Sequence, residues 1–200
     1  IPYPACDMNS YTLNLKPLAN QITVEHFEQL CRLNPELRLE TNNQGELIIM
    51  SPTGYETGMN NAGLIAQFWN WNQQYKLGVV CDSSTGFVLP NGAIRSPDVS
   101  WIAKERVAQF SKEEKAKFLP LTPDFALELM SPSDQLKTTQ AKMSEYRDNG
   151  VKLGWLINPQ QQQVEIYRLG KPTEVVHKPS SLSGEAILPN LVIELDFIWQ

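Results

Sequence analysis

Residues 125–134 read FALELMSPSD and decide the fold that we predict for this chain. The apolar run 125–130 is typical of a buried strand, yet it carries a carboxylate at Glu128. The segment SPDV at 96–99 repeats this arrangement with Asp98. An ionised carboxylate inside a core is costly unless a cation or hydrogen bonds compensate it. Two such residues on neighbouring strands predict a site for a hard divalent cation.

The patterns around these two segments predict a single mixed α/β (α+β) domain. A helix is expected over 23–32 with Thr23 as its N-cap, and a hairpin over 37–50 with an Asn/Gly turn. The later elements follow in the order long helix 56–76, strands 79–81, 86–89, 94–103 and 125–130, a helix from the Ser133/Asp134 N-cap to 149, and strand 153–157. Strands over 163–168, 173–176 and 191–199 complete the chain. The domain spans 1–200, with a core over about 51–159, an N-terminal extension 1–50 and a C-terminal β extension 160–200.

Composition excludes several classes of protein. With 42% hydrophobic and 20% charged residues the chain is expected to fold, and no apolar run approaches the roughly 20 residues of a membrane span. Residues 1–10 lack the features of a signal peptide, which predicts a cytoplasmic location. Three widely spaced cysteines (Cys6, Cys31 and Cys81) argue against a disulfide framework or a zinc site. His26 and His177 are too few and too scattered for a histidine-rich metal centre.

The charge balance bears on any nucleic-acid substrate. A net charge of −5 and a pI near 5.1 argue against non-specific binding of nucleic acid by the whole surface. Two routes to such binding stay open. One is a local basic groove formed by Lys137, Lys142, Arg147 and Lys152, and the other is a metal ion that neutralises the acidic site.

Strand and helix periodicity indicate which side chains could meet. Alternate residues of a strand share a face, so Asp98 lies with Ser96 and Ser100. Glu128 shares its face with small or uncharged neighbours, which leaves space for an ion and water. In the following helix Lys142 lies at the edge of the packed stripe. Its amine can reach Glu128 along the sheet or extend into solvent, and the spacing favours neither.

Here the sequence resembles a known group of enzymes. Pro97-Asp98, Glu128 and a nearby lysine resemble the PD-(D/E)xK nuclease superfamily, whose core has the αβββαβ order found above. Residues 50–158 resemble more closely a restriction endonuclease-like family that is expanded in cyanobacteria. The matching segments are SPTG at 51–54, SPDV at 96–99, ELMSPSD at 128–134, Lys142 with Tyr146, GV at 150–151 and WLINP at 155–159. The resemblance covers more than half of the chain.

The resemblance implies a restriction endonuclease-like fold with a mixed central sheet, and a metal-dependent endonuclease acting on DNA. Asp98 and Glu128 would ligate Mg²⁺ or Mn²⁺. The superfamily lysine usually stands two residues after the strand glutamate, where this chain has Met130. The family therefore implies that Lys142, on the following helix, is the catalytic lysine.

A helix-borne glutamate often joins sites of this superfamily. Glu56 is the first candidate because it stands at the start of the long helix, and Glu40 is the second. The alternative for Glu56 is favourable placement of a negative charge at a helix N-terminus.

Two other functions stay open. One is a catalytically inactive nucleic-acid-binding protein that keeps the nuclease fold, which Met130 and the acidic pI favour. The other is a dimeric accessory or assembly protein, in which apolar strands such as 191–198 pair between two copies as a homodimer. Trp69 and Trp71, in the middle of the long helix, are expected to serve the core or an interface.

Overall fold

The computed structural model describes residues 11–14 and 23–200. The expectations for residues 1–10 and for Cys6 therefore fall outside the described residues. Cys31 and Cys81 are free thiols.

The described residues form the following helices and strands in chain order: β1 (Tyr11–Asn14), α1 (Val24–Leu33), β2 (Arg38–Thr41), β3 (Glu46–Met50), α2 (Tyr55–Tyr75), β4 (Gly78–Asp82), β5 (Phe87–Val88), β6 (Ile94–Arg95), β7 (Val99–Ala103), α3 (Lys104–Val107), β8 (Phe125–Leu129), α4 (Leu136–Asp148), β9 (Leu153–Asn158), β10 (Gln163–Arg168), β11 (Glu174–His177), β12 (Ser181–Ser183) and β13 (Val192–Glu194). Short 3₁₀ turns lie over Glu114–Ala116 and Asp196–Trp199.

The centre of the fold is a six-stranded mixed sheet in the order β11-β10-β9-β8-β7-β4. Strands β8 and β9 run parallel and are connected through α4, whereas the other neighbours run antiparallel. Elements α2, β4, β7, β8, α4 and β9 reproduce the predicted αβββαβ order. The mixed α+β fold class is therefore confirmed.

A second, five-stranded sheet has the order β1-β3-β2-β6-β5. It includes the first two residues of the strand predicted over 94–103, because that strand is split at Pro97. Proline has no N–H to donate to a ladder and so ends regular pairing. Upstream of Pro97, β6 pairs with β2; downstream, β7 pairs with β4 and β8. The Ser96–Asp98 segment therefore joins the two sheets.

One helix covers each face of the main sheet. On one face α2 buries Leu64, Phe68 and Trp71, and the Phe68 ring packs against Phe125 at 5.1 Å between centroids. On the other face α4 buries Met143 and Tyr146. The core therefore lies on both sides of β7, β8 and β9, and it fixes α4 over one face of these strands.

Helix boundaries mostly agree with the sequence. Thr23 caps α1 as predicted, in a capping box with His26. The long helix predicted over 56–76 lies at Tyr55–Tyr75 and ends with Lys76 in the left-handed region (φ 54°). Close packing follows at Gly78, where a Cβ would overlap the carbonyl oxygen of Ile102.

The C-terminal extension completes the core of its own chain. Strands β10 and β11 extend the main sheet, while β12 and β13 form a separate hairpin. Leu191, Ile193, Leu195 and Ile198 are buried in the main hydrophobic cluster. The strand predicted over 191–198 therefore places its alternate apolar side chains in the core of one copy, and its pairing between two copies stays a prediction. Among the described residues, no helix is long and apolar enough to span a membrane.

Candidate active site

A cavity of about 940 Å³ opens beside the junction of the two sheets. The β2–β3 hairpin and α4 contribute half of its lining residues, and residues from the start of α2 add to them. Asp98, Glu128 and Lys142 all line it. The three residues predicted from separate segments of sequence are thus brought together in one place.

Asp98 and Glu128 are cross-strand neighbours. Strands β7 and β8 pair Val99 with Leu127, and continuing this register by one residue sets Asp98 opposite Glu128. Directly opposite residues of an antiparallel pair have Cβ atoms about 4.5–5.5 Å apart. Both side chains belong to the face that packs toward α4, because Ser100 and Ala126 form the next pair on that face.

Each of these carboxylates has one oxygen held by the protein and one that remains available. Asp98 Oδ2 accepts a hydrogen bond from the Leu129 N–H at 2.8 Å. Glu128 Oε1 accepts one from the Tyr146 hydroxyl at 2.8 Å and lies 2.9 Å from Lys142 Nζ. Asp98 Oδ1 and Glu128 Oε2 accept no hydrogen bond from the described residues. The arrangement orients both carboxylates while leaving an oxygen of each free for a ligand.

Lys142 is held between two carboxylates. Its Nζ lies 3.0 Å from Glu40 Oε1 and 2.9 Å from Glu128 Oε1, and its side chain is 15% exposed. The sequence left open whether this amine reaches the pocket or extends into solvent. In the structure it reaches the pocket.

Glu40, the second-ranked glutamate, belongs to this cluster. It lies on β2, is buried, and accepts three hydrogen bonds: from Lys142 Nζ, from the Ser96 N–H at 2.9 Å and from Arg95 Nη1 at 3.1 Å. Arg95 also donates through Nε to Glu145 on α4 at 2.6 Å. Both oxygens of Glu40 are therefore occupied by protein donors.

Arg95 and Glu145 were not predicted as site residues. The available signal was an arginine at the end of an apolar strand, directly before the Ser-Pro-Asp segment. A charged residue in a buried strand needs a partner, as the two carboxylates do.

The other expectations fare differently. Glu56 lies on the exposed surface of α2 and does not line the cavity, so the structure does not bring it to the site. Asp134 does not cap α4, whose N-cap is Gln135; instead its Oδ2 accepts hydrogen bonds from the N–H and the hydroxyl of Ser131.

The predicted basic groove does not form along the cavity. Of its four residues only Lys142 lines the cavity, while Arg147 pairs with Asp148 and Lys152 with Asp124. The cavity lining carries seven carboxylates and three cations.

The electrostatics of the cluster follow from burial and neighbouring charges. Burial raises the pKa of Glu128 to about 8, and the carboxylates of Asp98 and Glu40 add to this shift against the opposing effect of Lys142. Burial likewise raises the pKa of Asp98. Burial alone would lower the pKa of Lys142, but Glu128 and Glu40 outweigh it and raise that pKa. Lys142 is therefore an ammonium at neutral pH.

Glu40 is shifted in the opposite direction from Glu128. Burial would raise its pKa, but Lys142, Arg95 and the Ser96 N–H outweigh burial and lower it. Glu40 is therefore ionised at neutral pH.

The donor set fits a hard divalent cation of the magnesium type. No group of three or more His, Cys, Asp or Glu side chains within the described ranges has the spacing of a metal site. Two carboxylates suffice for Mg²⁺, which is commonly held by one or two carboxylates together with water and a substrate phosphate. The free oxygens of Asp98 and Glu128 match this requirement.

Comparison with known proteins gives the family. The model of the family Uma2, described as "Putative restriction endonuclease", matches residues 24–196. The chain belongs to the Uma2 family. The restriction endonuclease-like resemblance inferred from the sequence is thereby confirmed, and membership of Uma2 supports a nuclease.

A solved structure shares the fold of this Uma2 protein. The crystal structure of a "putative nuclease belonging to DUF820" from Anabaena variabilis ATCC 29413 superposes with a TM-score of 0.73. The two sequences are 19% identical, and the alignment covers 89% of this chain and 97% of the other. No curated protein sequence matches the chain.

Proposed function

We propose that this protein is a metal-dependent endonuclease that hydrolyses phosphodiester bonds in DNA, with Asp98 and Glu128 as ligands of Mg²⁺ or Mn²⁺. The observation that carries the proposal is the cross-strand pair of carboxylates, each oriented through one oxygen and free at the other, beside a protonated lysine. Membership of the Uma2 family supports the reaction class.

The roles of the ion and of its ligands follow from this geometry. When bound, the divalent ion would supply Lewis-acid polarisation of a phosphate oxygen and lower the pKa of a coordinated water. Asp98 and Glu128 would hold it through Oδ1 and Oε2. The bonds from Leu129 N–H and Tyr146 hydroxyl keep these carboxylates oriented before the ion arrives.

Lys142 acts as a cation in this proposal. Its raised pKa keeps it protonated at neutral pH, so its nitrogen carries no free lone pair. An ammonium next to the scissile phosphate would stabilise the negative charge that develops during hydrolysis. Glu40 acts as a positioning residue, because its two oxygens bind Lys142, Arg95 and Ser96.

The acidic cavity makes the ion necessary for substrate binding as well as for chemistry. Seven carboxylates face three cations in the lining, so a phosphate entering without a metal ion meets net negative charge. This favours the second route to nucleic-acid binding over a basic groove. DNA as the substrate and the cytoplasm as the location stay predictions.

The decisive experiment is nicking of supercoiled plasmid DNA by the purified protein with Mg²⁺ or Mn²⁺. We expect Asp98→Asn and Glu128→Gln to lower the rate by about 100-fold or more, since each removes a ligand charge. Asp148→Asn is the matched control: Asp148 also lines the cavity, but among the described residues its carboxylate pairs only with Arg147 on the same helix. Circular dichroism spectra of all three variants should match that of the parent protein, as a control for folding.

The outcomes separate the proposal from its alternatives. Equal nicking by parent and ligand variants would contradict the proposal and indicate a contaminating nuclease. Metal binding and DNA binding without cleavage would favour the catalytically inactive nucleic-acid-binding protein. That alternative has one specific observation in its favour, which is Met130 at the position where the superfamily usually has lysine.

A further inference from the structure

Helix α2 is apolar on two opposite faces. One face is buried in the core through Leu64, Phe68 and Trp71. The opposite face carries Tyr55, Met59, Ala62, Ala66 and Trp69, all of them exposed, which we call the outer stripe. A surface helix ordinarily places charged and polar residues opposite its buried stripe. We therefore expect the outer stripe to be covered by a binding partner.

The outer stripe has the spacing of a helix–helix seam. Its residues follow one another at intervals of four, three, four and three, and Gln73 continues the series by four. This alternation is the apolar heptad pattern of helices that pack side by side. The large side chains are conspicuously accessible, with Tyr55 88%, Met59 47% and Trp69 51% exposed. Tyrosine and tryptophan are also the residues most enriched at the energetic centres of interfaces.

The charge of α2 selects the class of partner. Glu56 is the only charged residue among the 21 of the helix, which has no lysine or arginine. Depletion of charge marks the core of a protein–protein interface. A nucleic-acid backbone is disfavoured, because phosphate contacts need cations and α2 carries none.

We propose that the outer stripe is the contact between two copies of this chain, packed as an antiparallel pair of α2 helices related by a two-fold axis. In this arrangement the outer stripe of one copy packs against the same stripe of the other copy. Ala62 meets Ala66 of the partner subunit at the centre, where small side chains let the backbones approach. Met59 meets Trp69 of the partner subunit farther out, a sulfur–aromatic contact.

The antiparallel direction follows from Glu56. In a parallel pair the two Glu56 carboxylates would lie side by side and repel each other. In the antiparallel pair they are 16 positions apart along the seam, or about 24 Å. Opposed helix macrodipoles also favour this direction.

The available area is at the lower limit for a specific interface. An aromatic side chain carries about 150–250 Å² of surface, so the exposed parts of Tyr55, Trp69, Met59 and the two alanines amount to roughly 500 Å² per copy. Two copies then bury about 1,000 Å², which is the lower limit for a biological interface. We therefore expect a reversible dimer with a Kd on the order of 10 µM.

Sedimentation velocity over a range of about 1–200 µM tests the proposal. The parent protein should shift from monomer to dimer, and Ala66→Glu should stay monomeric at every concentration. Glutamate is well tolerated in an exposed helix, so this variant is expected to fold. Leu169→Glu is the matched control, since Leu169 is 52% exposed in a turn away from α2 and its substitution should leave the dimer intact.

Cysteine cross-linking tests the direction of the pair. Residues 66 of the two copies would be about 6 Å apart along the seam, whereas residues 55 would be about 27 Å apart. Under mild oxidation Ala66→Cys should form a disulfide-linked dimer and Tyr55→Cys should not. Efficient cross-linking of both variants would overturn the antiparallel arrangement.

Two further results would overturn the interface itself: a parent protein that is monomeric at 200 µM, or a dimer that Ala66→Glu leaves intact. If Ala66→Glu no longer binds DNA while its sedimentation mass is the same as that of the parent protein, the outer stripe is a contact for nucleic acid instead. None of these measurements requires nuclease activity, so they stand apart from the plasmid assay above.

Discussion

Replacing Glu40 by glutamine distinguishes a residue that positions Lys142 from one that ligates the metal. The substitution keeps the shape of the side chain and one carbonyl oxygen, which can still accept from Ser96 and Lys142. Its amide group, however, turns a donor toward Arg95 Nη1, which is also a donor. The charge of a buried carboxylate that balances two cations is lost at the same time.

The magnitude follows from the bonds that change. A hydrogen bond to a charged group contributes about 1.5–3 kcal/mol, and this substitution removes one such bond outright while weakening that to Lys142. Arg95 keeps Glu145 and Lys142 keeps Glu128, which limits the damage. We expect the free energy of unfolding to fall by about 2–3 kcal/mol. Because residues that orient a catalytic group typically change activity by about 10–100-fold, kcat for nicking should fall within that range.

Three measurements on one preparation test this reasoning: urea unfolding, single-turnover nicking at saturating metal, and calorimetric titration with Mn²⁺. Metal affinity should fall much less than in Asp98→Asn, since both oxygens of Glu40 are already occupied by protein donors. Glu46→Gln is the control, because Glu46 lines the same cavity from the same hairpin and, among the described residues, its carboxylate bonds only Asn42. If Glu40→Gln weakens metal binding as strongly as Asp98→Asn, Glu40 is a ligand and the positioning role is refuted.

Two predictions concern the scaffold. Asp124 is 1% exposed. Burial would raise its pKa, but the Ala103 N–H, Lys152 and Arg106 outweigh burial and lower it. The stability that this carboxylate contributes is therefore complete above about pH 4 and is lost as pH falls through the lowered pKa. Urea unfolding should therefore show Asp124→Asn about 2–3 kcal/mol less stable at pH 7, with the difference shrinking as pH falls through the lowered pKa of Asp124. A difference that does not change with pH would contradict this assignment. Asn72→Ala leaves the indole N–H of Trp101 and the backbone of Gly78 without their side-chain partner. The free energy of unfolding should fall by about 2–4 kcal/mol at any pH. A fall below about 1 kcal/mol would mean that water replaces the amide.

The parts of the site that the sequence predicted are those encoded by local pattern. Asp98 and Glu128 each interrupt an apolar strand, and their pairing follows from the register of two consecutive strands of the main sheet. Helical spacing located Lys142, but it did not determine the direction in which the side chain extends. Local periodicity was therefore sufficient for the pair of carboxylates and for the αβββαβ order.

Glu40 was ranked below Glu56 because its position depends on contacts between distant segments. It reaches Lys142 across 102 residues, and it does so because β2 pairs with β6 around Thr41 and Ile94. That pairing exists only because Pro97 divides one apolar run between two sheets. No periodicity within either segment encodes this division, whereas the placement of Glu56 relied on analogy with other enzymes.

The position of Lys142 between Glu40 and Glu128 has a consequence for folding. Glu40 and Glu128 lie in different sheets, so the Lys142 ammonium contacts both carboxylates only after those sheets have docked. A chain in which one half has collapsed ahead of the other lacks the assembled charge cluster. We therefore expect this charge cluster to form only when the two sheets dock, and incompletely folded molecules to lack it.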